Sequence, residues 1–304
     1  MDYIFKTNNL CKNYGSFAAL KDVNMEIPKH SIYGFVGKNG AGKTTLIRLL
    51  CGLQTPSSGS YELMGIKNDS ADILKARRKM GAVVESPAIY KDLTARDNLI
   101  QQCIMLGLAD LKNVDELLDI VGLSDTGKKK AKNFSLGMRQ RLGLAIALCG
   151  NPEFIILDEP TNGLDPQGII EIRELVIKLN KERGITFLIS SHILDELARM
   201  ATHYGFIDKG HIVRQMSNEA LRKESHKAIK MTVNDTKLLA KAIESRGLKY
   251  KIIDNRTADI YEDINFSEIA KLCDKTGCIV EKMEENEENL ESFYLSLIGG
   301  GKNV

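Results

Sequence analysis

No stretch of this 304-residue chain approaches the long apolar run that a membrane-spanning helix needs. The longest apolar patch, residues 142–149, is short and sits inside a helical pattern. The opening Met1-Asp2-Tyr3 lacks the basic and then apolar profile of a secretory signal. A chain soluble by itself is expected, which something else brings to any membrane where it acts. Charge of one sign is scarce too: the formal net charge of +2 gives no bias toward nucleic acid or membrane surfaces. Cys11, Cys51, Cys103, Cys149, Cys273 and Cys278 are scattered, mostly in apolar surroundings. They read as small buried hydrophobes in a reducing compartment. Cys273 and Cys278 have a redox or metal reading, but no second pair or nearby His supports it.

What is present is enough apolar material for a core. At 43% hydrophobic residues the chain is not composed like a disordered one, and its length suits one large or two modest domains. Up to residue 217, strand and helix signals alternate. Val23, Met25 and Ile27 alternate with polar residues, as in a half-buried strand. Ile32-Tyr33-Gly34-Phe35-Val36 runs into a glycine-rich turn, after which Leu46, Leu49 and Leu50 share one helical face. Further strands are expected at 81–84, 154–157 and 186–190, and a hairpin at 204–215 around Lys209-Gly210. Ile169, Ile172, Leu175, Val176 and Leu179 form a helical stripe closed by Gly184.

This alternation argues for an α/β domain with a largely parallel sheet. Residues 91–148 read as an inserted helical subdomain, with Thr94 and Asp97 at one helix start and Ser135 at another. From 218 to 304 the pattern becomes that of a small α+β appendage, with a last helix over 288–297. There Glu284, Glu285, Glu287 and Glu288 read as an exposed helix start. Gly299-Gly300-Gly301 reads as a frayed tail, Lys128-Lys129-Lys130 as a solvated run, and Met64, Met80 and Met105 as core filler.

Chemistry concentrates in two places. Gly37-Lys38-Asn39-Gly40-Ala41-Gly42-Lys43-Thr44 fits the phosphate-loop pattern, with a strand before it and a helix after. Glycines let the backbone curl so that its N–H groups face one anion, and the helix start adds its positive dipole end. Lys43 can reach the β- and γ-phosphates, and Thr44 can place a hydroxyl on Mg²⁺. The partner element is Ile155-Ile156-Leu157-Asp158-Glu159. Asp158 closes an apolar strand, where it can hold the metal through water. Glu159, one step later, can polarise an attacking water.

Further segments resemble the ABC ATPases. Phe134-Ser135-Leu136-Gly137-Met138 is similar to their signature, Asn162-Gly163-Leu164-Asp165-Pro166 to their D-loop, and Ser190-Ser191-His192 to their switch histidine. The match spans roughly residues 3–217 and implies a P-loop NTPase fold for residues 1–217. It implies that Tyr14 stacks on adenine, that Thr45 joins Gly37, Asn39, Gly40, Ala41, Gly42, Lys43 and Thr44 on the phosphates, and that His192 senses the γ-phosphate. Ser135 and Gly137 open a helix whose N–H groups can bind a second anion. In the family that anion is ATP held by a facing subunit, which implies a head-to-tail homodimer or a paralogous pair.

Two departures narrow the reading. The signature lacks the common Leu-Ser-Gly-Gly-Gln form but keeps its Ser and one Gly. Glu85, in Val83-Val84-Glu85-Ser86-Pro87, stands where the family usually has glutamine and offers Mg²⁺ a charged oxygen. That acidic residue and the C-terminal appendage resemble ATP-binding subunits of bacterial bacitracin-resistance and lantibiotic self-protection exporters. The resemblance implies an ATPase that uses ATP and Mg²⁺ to power a separate integral-membrane permease, peripheral on the cytoplasmic face of the membrane. Neither nucleic-acid binding nor direct membrane insertion is expected. The alternatives are a regulatory ABC ATPase without net transport, and a soluble one acting on ribosomes or DNA.

Overall fold

The computed structural model describes residues 2–287 except 109, 110, 112, 225, 226, 245, 249 and 261–263, together with 290, 293, 294 and 297. The tail at 299–301, Glu288 and much of the helix expected over 288–297 lie outside the described residues. The chain divides into two compact units, Met1–Asn218 and Glu219–Val304.

The first unit opens with β1 (Tyr3–Tyr14), β2 (Phe17–Val23) and β3 (Glu26–Pro28). Next, β4 (Ile32–Val36) starts a second sheet and α1 (Lys43–Leu50) follows it, before β5 (Ser58–Leu63) and β6 (Ile66–Lys67) return to the first sheet. The first sheet is antiparallel, ordered β2-β1-β5-β6 with β3 also on β1. It was not legible in sequence, because β1 bulges against its partners and its burial does not alternate cleanly. The strand expected through Val23, Met25 and Ile27 is a correction of the same kind. All three side chains are fully buried, but Asp22 has a left-handed backbone (φ 47°) and Asn24 bonds back to its carbonyl at 3.0 Å. The chain turns there, so β2 and β3 are separate.

After α2 (Ile73–Arg77) and β7 (Met80–Val83), α3 (Ala95–Met105), α4 (Asn113–Ile120) and α5 (Leu136–Leu148) supply the expected helical stretch. Thr94 caps α3 by accepting the Asp97 N–H at 3.1 Å. Met105 is not core filler: it is 63% exposed, beside exposed Ile104 and Leu106. The α3 stripe that packs inward is Ala95, Leu99 and Cys103, which leaves Met105 on the outer face.

The unit continues with β8 (Phe154–Asp158), α6 (Pro166–Arg183), β9 (Thr186–Ser191), α7 (Leu194–Ala198), β10 (His203–Asp208) and β11 (His211–Ser217). The second sheet runs β11-β10-β4-β9-β8-β7 and is parallel except at β11. Three of its four inner strands, β4, β8 and β9, are buried at every position, as continuous apolar runs in a covered parallel sheet are. Both sheets and α1 share one core, which contains Leu20, Met25, Phe35, Leu46, Leu49, Tyr61 and Phe154. Burying a side chain of this size contributes about 1.5–3 kcal/mol. The apolar stripe of α1 therefore anchors its first turn, where Lys43 and Thr44 stand.

The second unit begins within α8 (Asn218–Glu224), whose first residue closes the first unit. It comprises β12 (Lys227–Val233), α9 (Thr236–Glu244), β13 (Tyr250–Ile252), β14 (Thr257–Ile260), α10 (Phe266–Thr276) and β15 (Val280–Glu287). The antiparallel sheet order β13-β14-β12-β15 with this βαββαβ connectivity is the ferredoxin-like split βαβ arrangement. Glu284, Glu285 and Glu287 belong to β15, not to a helix start. Lys230 lies opposite Glu284 across the ladder, so pairing with β12 places the acidic run in a strand. Cys273 and Cys278 are buried in this unit's core, where burial pushes the Cys273 thiol up to about 12. That environment suits small apolar side chains.

Candidate functional site

The strands β4, β9 and β8 are parallel neighbours, so their C-terminal ends lie side by side. The segments leaving those ends bring together the phosphate loop, the Ser190–His192 segment and the Asp158-Glu159 pair. Crevices at such strand ends are where open α/β sheets bind ligands.

Between β4 and α1 the backbone curls through Gly40 (φ 80°) and Gly42 (φ 114°). A Cβ on Gly42 would stand 2.9 Å from the Ala19 carbonyl, so a larger residue meets both strain and a clash. Lys43 is buried, with its ammonium donating to the Gly37 carbonyl at 2.6 Å and lying 3.3 Å from Glu159 Oε1. Buried charge of this kind persists only when paired.

Asp158 is buried, and both its oxygens are engaged. Thr44 donates to Oδ2 at 3.0 Å, and Ser190 donates to Oδ1 at 2.5 Å. Glu159 leaves the strand with φ 52°, a left-handed conformation that costs about 1–2 kcal/mol outside glycine. Its N–H is held by the Ser190 hydroxyl at 3.0 Å and the Ser190 carbonyl at 3.2 Å. While Lys43 faces Oε1, His192 Nδ1 stands 2.7 Å from Oε2. An ionised carboxylate only accepts, so that hydrogen sits on Nδ1.

Beside this cluster lies a cavity of about 330 Å³, which Asp158 and Ser190 do not themselves line. Asn39, Gly40, Gly42, Lys43, Thr44, Thr45, Glu159 and His192 face it, with Asn162, Lys38, Ala19 and Phe17. Gly37 and Ala41 do not line it: Gly37 packs against Ile207, and Ala41 is buried in the core. Tyr14 does not line it either. Its hydroxyl donates to Gln54 Oε1 at 2.5 Å, and the Lys12 ammonium lies 5.3 Å from its ring centre. Phe17, its partner across the β1–β2 hairpin, is the aromatic on the wall, and it is 63% exposed.

Glu85 also has a left-handed backbone (φ 61°), and its carboxylate is paired with Arg48 of α1. It lines a neighbouring cavity of about 610 Å³ with Gln140, Arg139 and Glu159, rather than the one at the phosphate loop. Ser135 caps α5 by accepting the Met138 N–H at 3.2 Å, and Gly137 sits in that helix's first turn. Neither lines the phosphate-loop cavity of its own chain. Asp165 caps α6, accepting the Gly168 N–H at 3.0 Å.

The sequence profile of ABC transporters matches residues 20–162. The bacitracin transport ATP-binding protein BcrA of Bacillus licheniformis is 40% identical over 304 residues, covering 99% of each chain. The lantibiotic transport ATP-binding protein SrtF of Streptococcus pyogenes is 46% identical over 69% of this chain and 89% of its own. This chain belongs to the ABC transporter ATP-binding family. The fold of this ABC ATPase agrees. The ATP-binding cassette MJ0796, solved as a dimer in a post-hydrolysis state with ADP and Pi, superposes with a TM-score of 0.63 at 28% identity. That match covers 70% of this chain and 98% of the cassette. Cassette cbiO1 of Clostridium perfringens gives 0.66 at 30% identity over 74% of this chain and 92% of its own.

An ABC ATPase binds and hydrolyses ATP, and the residues here fit that substrate. A buried ammonium faces the cavity, the Gly40 corner is open space, and a hydroxyl–carboxylate pair offers the oxygens that hard cations take. Sequence reasoning missed Phe17 and Arg48, and it quoted Ser190 within the switch-histidine segment without a role of its own. Only Phe17 left a legible signal: Tyr14-Gly15-Ser16-Phe17 is a two-residue hairpin that returns a second aromatic beside the first.

Proposed function

We propose that this ABC ATPase powers a separate membrane permease that exports a peptide or lipid-active antibiotic of the bacitracin or lantibiotic kind. The observation that carries this reading is the 40% identity to a bacitracin transport ATP-binding protein along 99% of both chains, the C-terminal unit included. No described helix is long and apolar enough to cross a membrane. An integral-membrane partner is therefore assigned the passage, with this chain peripheral on the cytoplasmic face. The exposed apolar run Ile104, Met105 and Leu106, within the helical insertion, supports a protein contact there.

In this reading residues 1–217 form the nucleotide-binding domain, 91–148 its helical subdomain, and 218–304 an accessory domain. Phe17 on the cavity wall, with Tyr14 beside it across the hairpin, offers the aromatic face for the base, and the 37–45 loop binds the phosphates. Thr44 and Asp158 hold Mg²⁺, with Glu85 close to the metal once freed from Arg48. A bound Mg²⁺ neutralises charge on the phosphate oxygens. Glu159 polarises the attacking water, and His192, fixed by Glu159, senses the γ-phosphate. Ser135 and Gly137 of a second copy cover the same ATP, and Asp165 couples the two sites. The closed dimer binds ATP through both copies, so ATP favours it until hydrolysis.

The test is genetic. Cells producing the Glu159→Gln chain should become sensitive to bacitracin or a lantibiotic, and a permease should co-purify with the wild-type chain. Unchanged resistance to every such antibiotic contradicts the export reading. Accumulation of drug in inverted vesicles separates export from signalling.

A further inference from the structure

We propose that Ser190 is a positioning residue for ATP hydrolysis, aiming the Asp158 carboxylate and the Glu159 backbone with a single hydroxyl. The inference rests on the roles proposed above for those two acids. Ser190 is fully buried and is the register partner of Asp158 across the parallel β8–β9 pair. Neighbours in such a ladder project to the same side of the sheet, which brings hydroxyl and carboxylate together.

The hydroxyl has one proton and two lone pairs, so one group can serve both acids. It gives the proton to Asp158 Oδ1 at 2.5 Å and accepts the Glu159 N–H at 3.0 Å. The Thr44 hydroxyl holds the other oxygen, Oδ2, at 3.0 Å. Asp158 is thus gripped from both oxygens, which fixes the plane of its carboxylate. The second bond acts on the Glu159 peptide, whose N–H it shares with the Ser190 carbonyl at 3.2 Å, where the chain takes its left-handed turn at φ 52°. Anchoring that N–H sets the direction in which the Glu159 side chain leaves the strand, toward Lys43 and His192.

Ser190 does not itself line the phosphate-loop cavity. Any effect on turnover must pass through the two acids. A hydroxyl that only satisfies itself in a buried strand predicts a change in stability alone, and that difference is measurable.

The experiment compares the full chain with Ser190→Ala, Ser190→Thr and Ser190→Val, reading kcat, the KM for ATP, the Mg²⁺ concentration for half-activation and the thermal midpoint. Loss of the hydroxyl in Ala and Val should lower kcat about tenfold or more and raise the Mg²⁺ requirement, with the KM for ATP little changed. Thr should recover most of the turnover. Thr and Val have nearly the same shape, so their contrast isolates the hydroxyl even if Ala fails to fold. Val as active as Ser190, or Thr no better than Val, overturns the proposal. Glu159→Gln runs alongside. If it turns over like wild type, the site assignment falls and Ser190 with it. If it is inactive while Ala and Val are not, only the Ser190 role falls.

Discussion

The Thr161 hydroxyl donates to the Glu196 carboxylate, and both residues are buried. The bond joins the loop leaving Glu159 to α7, the helix that follows His192. It is the third in a series: Asp158 meets Ser190, Glu159 meets His192, and Thr161 meets Glu196. Removing one partner of a buried hydrogen-bonded carboxylate leaves the other desolvated and unmatched, at a cost of about 1–3 kcal/mol. Thr161→Val should therefore lower the urea unfolding stability of the chain by that amount. Replacing Glu196 with Leu in the same chain should recover part of it. A Thr161→Val chain as stable as wild type removes the argument.

Lys43 carries a different weight. Its ammonium neutralises Glu159 and faces the cavity. Lys43→Ala should abolish measurable turnover and weaken binding of a fluorescent ATP analogue at least tenfold, because the charge-assisted contact to phosphate proposed for it is removed. Nucleotide affinity unchanged in that variant is incompatible with the site.

Glu85 and Arg48 form a pair whose side chains are both more than a third exposed. Exposed pairs contribute about 0–1 kcal/mol, so Glu85→Gln should leave the unfolding midpoint nearly unchanged. Its effect should appear in turnover. If Glu85 swings toward the metal, the neutral amide removes negative charge there, and Glu85→Gln should raise kcat and shift the Mg²⁺ dependence. Turnover and Mg²⁺ dependence both identical to wild type exclude a metal role.

Burial holds the Cys51, Cys149 and Cys273 thiols up at about 12. A folded pKa above the unfolded value favours the neutral thiol. The associated stability is present below about 8.5 and is lost as pH rises from there toward 12. At pH 8 these three cysteines should react slowly with iodoacetamide in the native chain and promptly in denaturant, read by peptide mass. Fast native labelling of Cys273 contradicts its placement in the C-terminal core.

How legible was this in the sequence? The strand, glycine turn and helix around residues 32–50 and the strand ending at Asp158 were, because each couples an apolar strand to a polar terminus within one short segment. The β8 and β9 strands and the α6 stripe were legible for the same reason: their pattern is local. The antiparallel sheet was not, since β1 is defined by partners as distant as Tyr61 and Leu63 and by bulges at Asn9 and Cys11. Residues that act through partners stayed hidden likewise. Ser190 lies 32 residues from Asp158, Glu196 lies 35 from Thr161, and Arg48 lies 37 from Glu85. Nothing in a lone Ser, Glu or Arg marks such a bond. The acidic run near 284 misled for the opposite reason: its charge was read as a helix start, when a lysine-bearing strand across the ladder had made it a strand.

The most direct measurement is sedimentation of the Glu159→Gln chain with and without ATP and Mg²⁺. Two copies sharing two nucleotides predict an ATP-dependent shift from monomer to dimer, with one ATP retained per chain and turnover abolished. A species that stays monomeric at saturating ATP, or that hydrolyses ATP at the wild-type rate, contradicts the account.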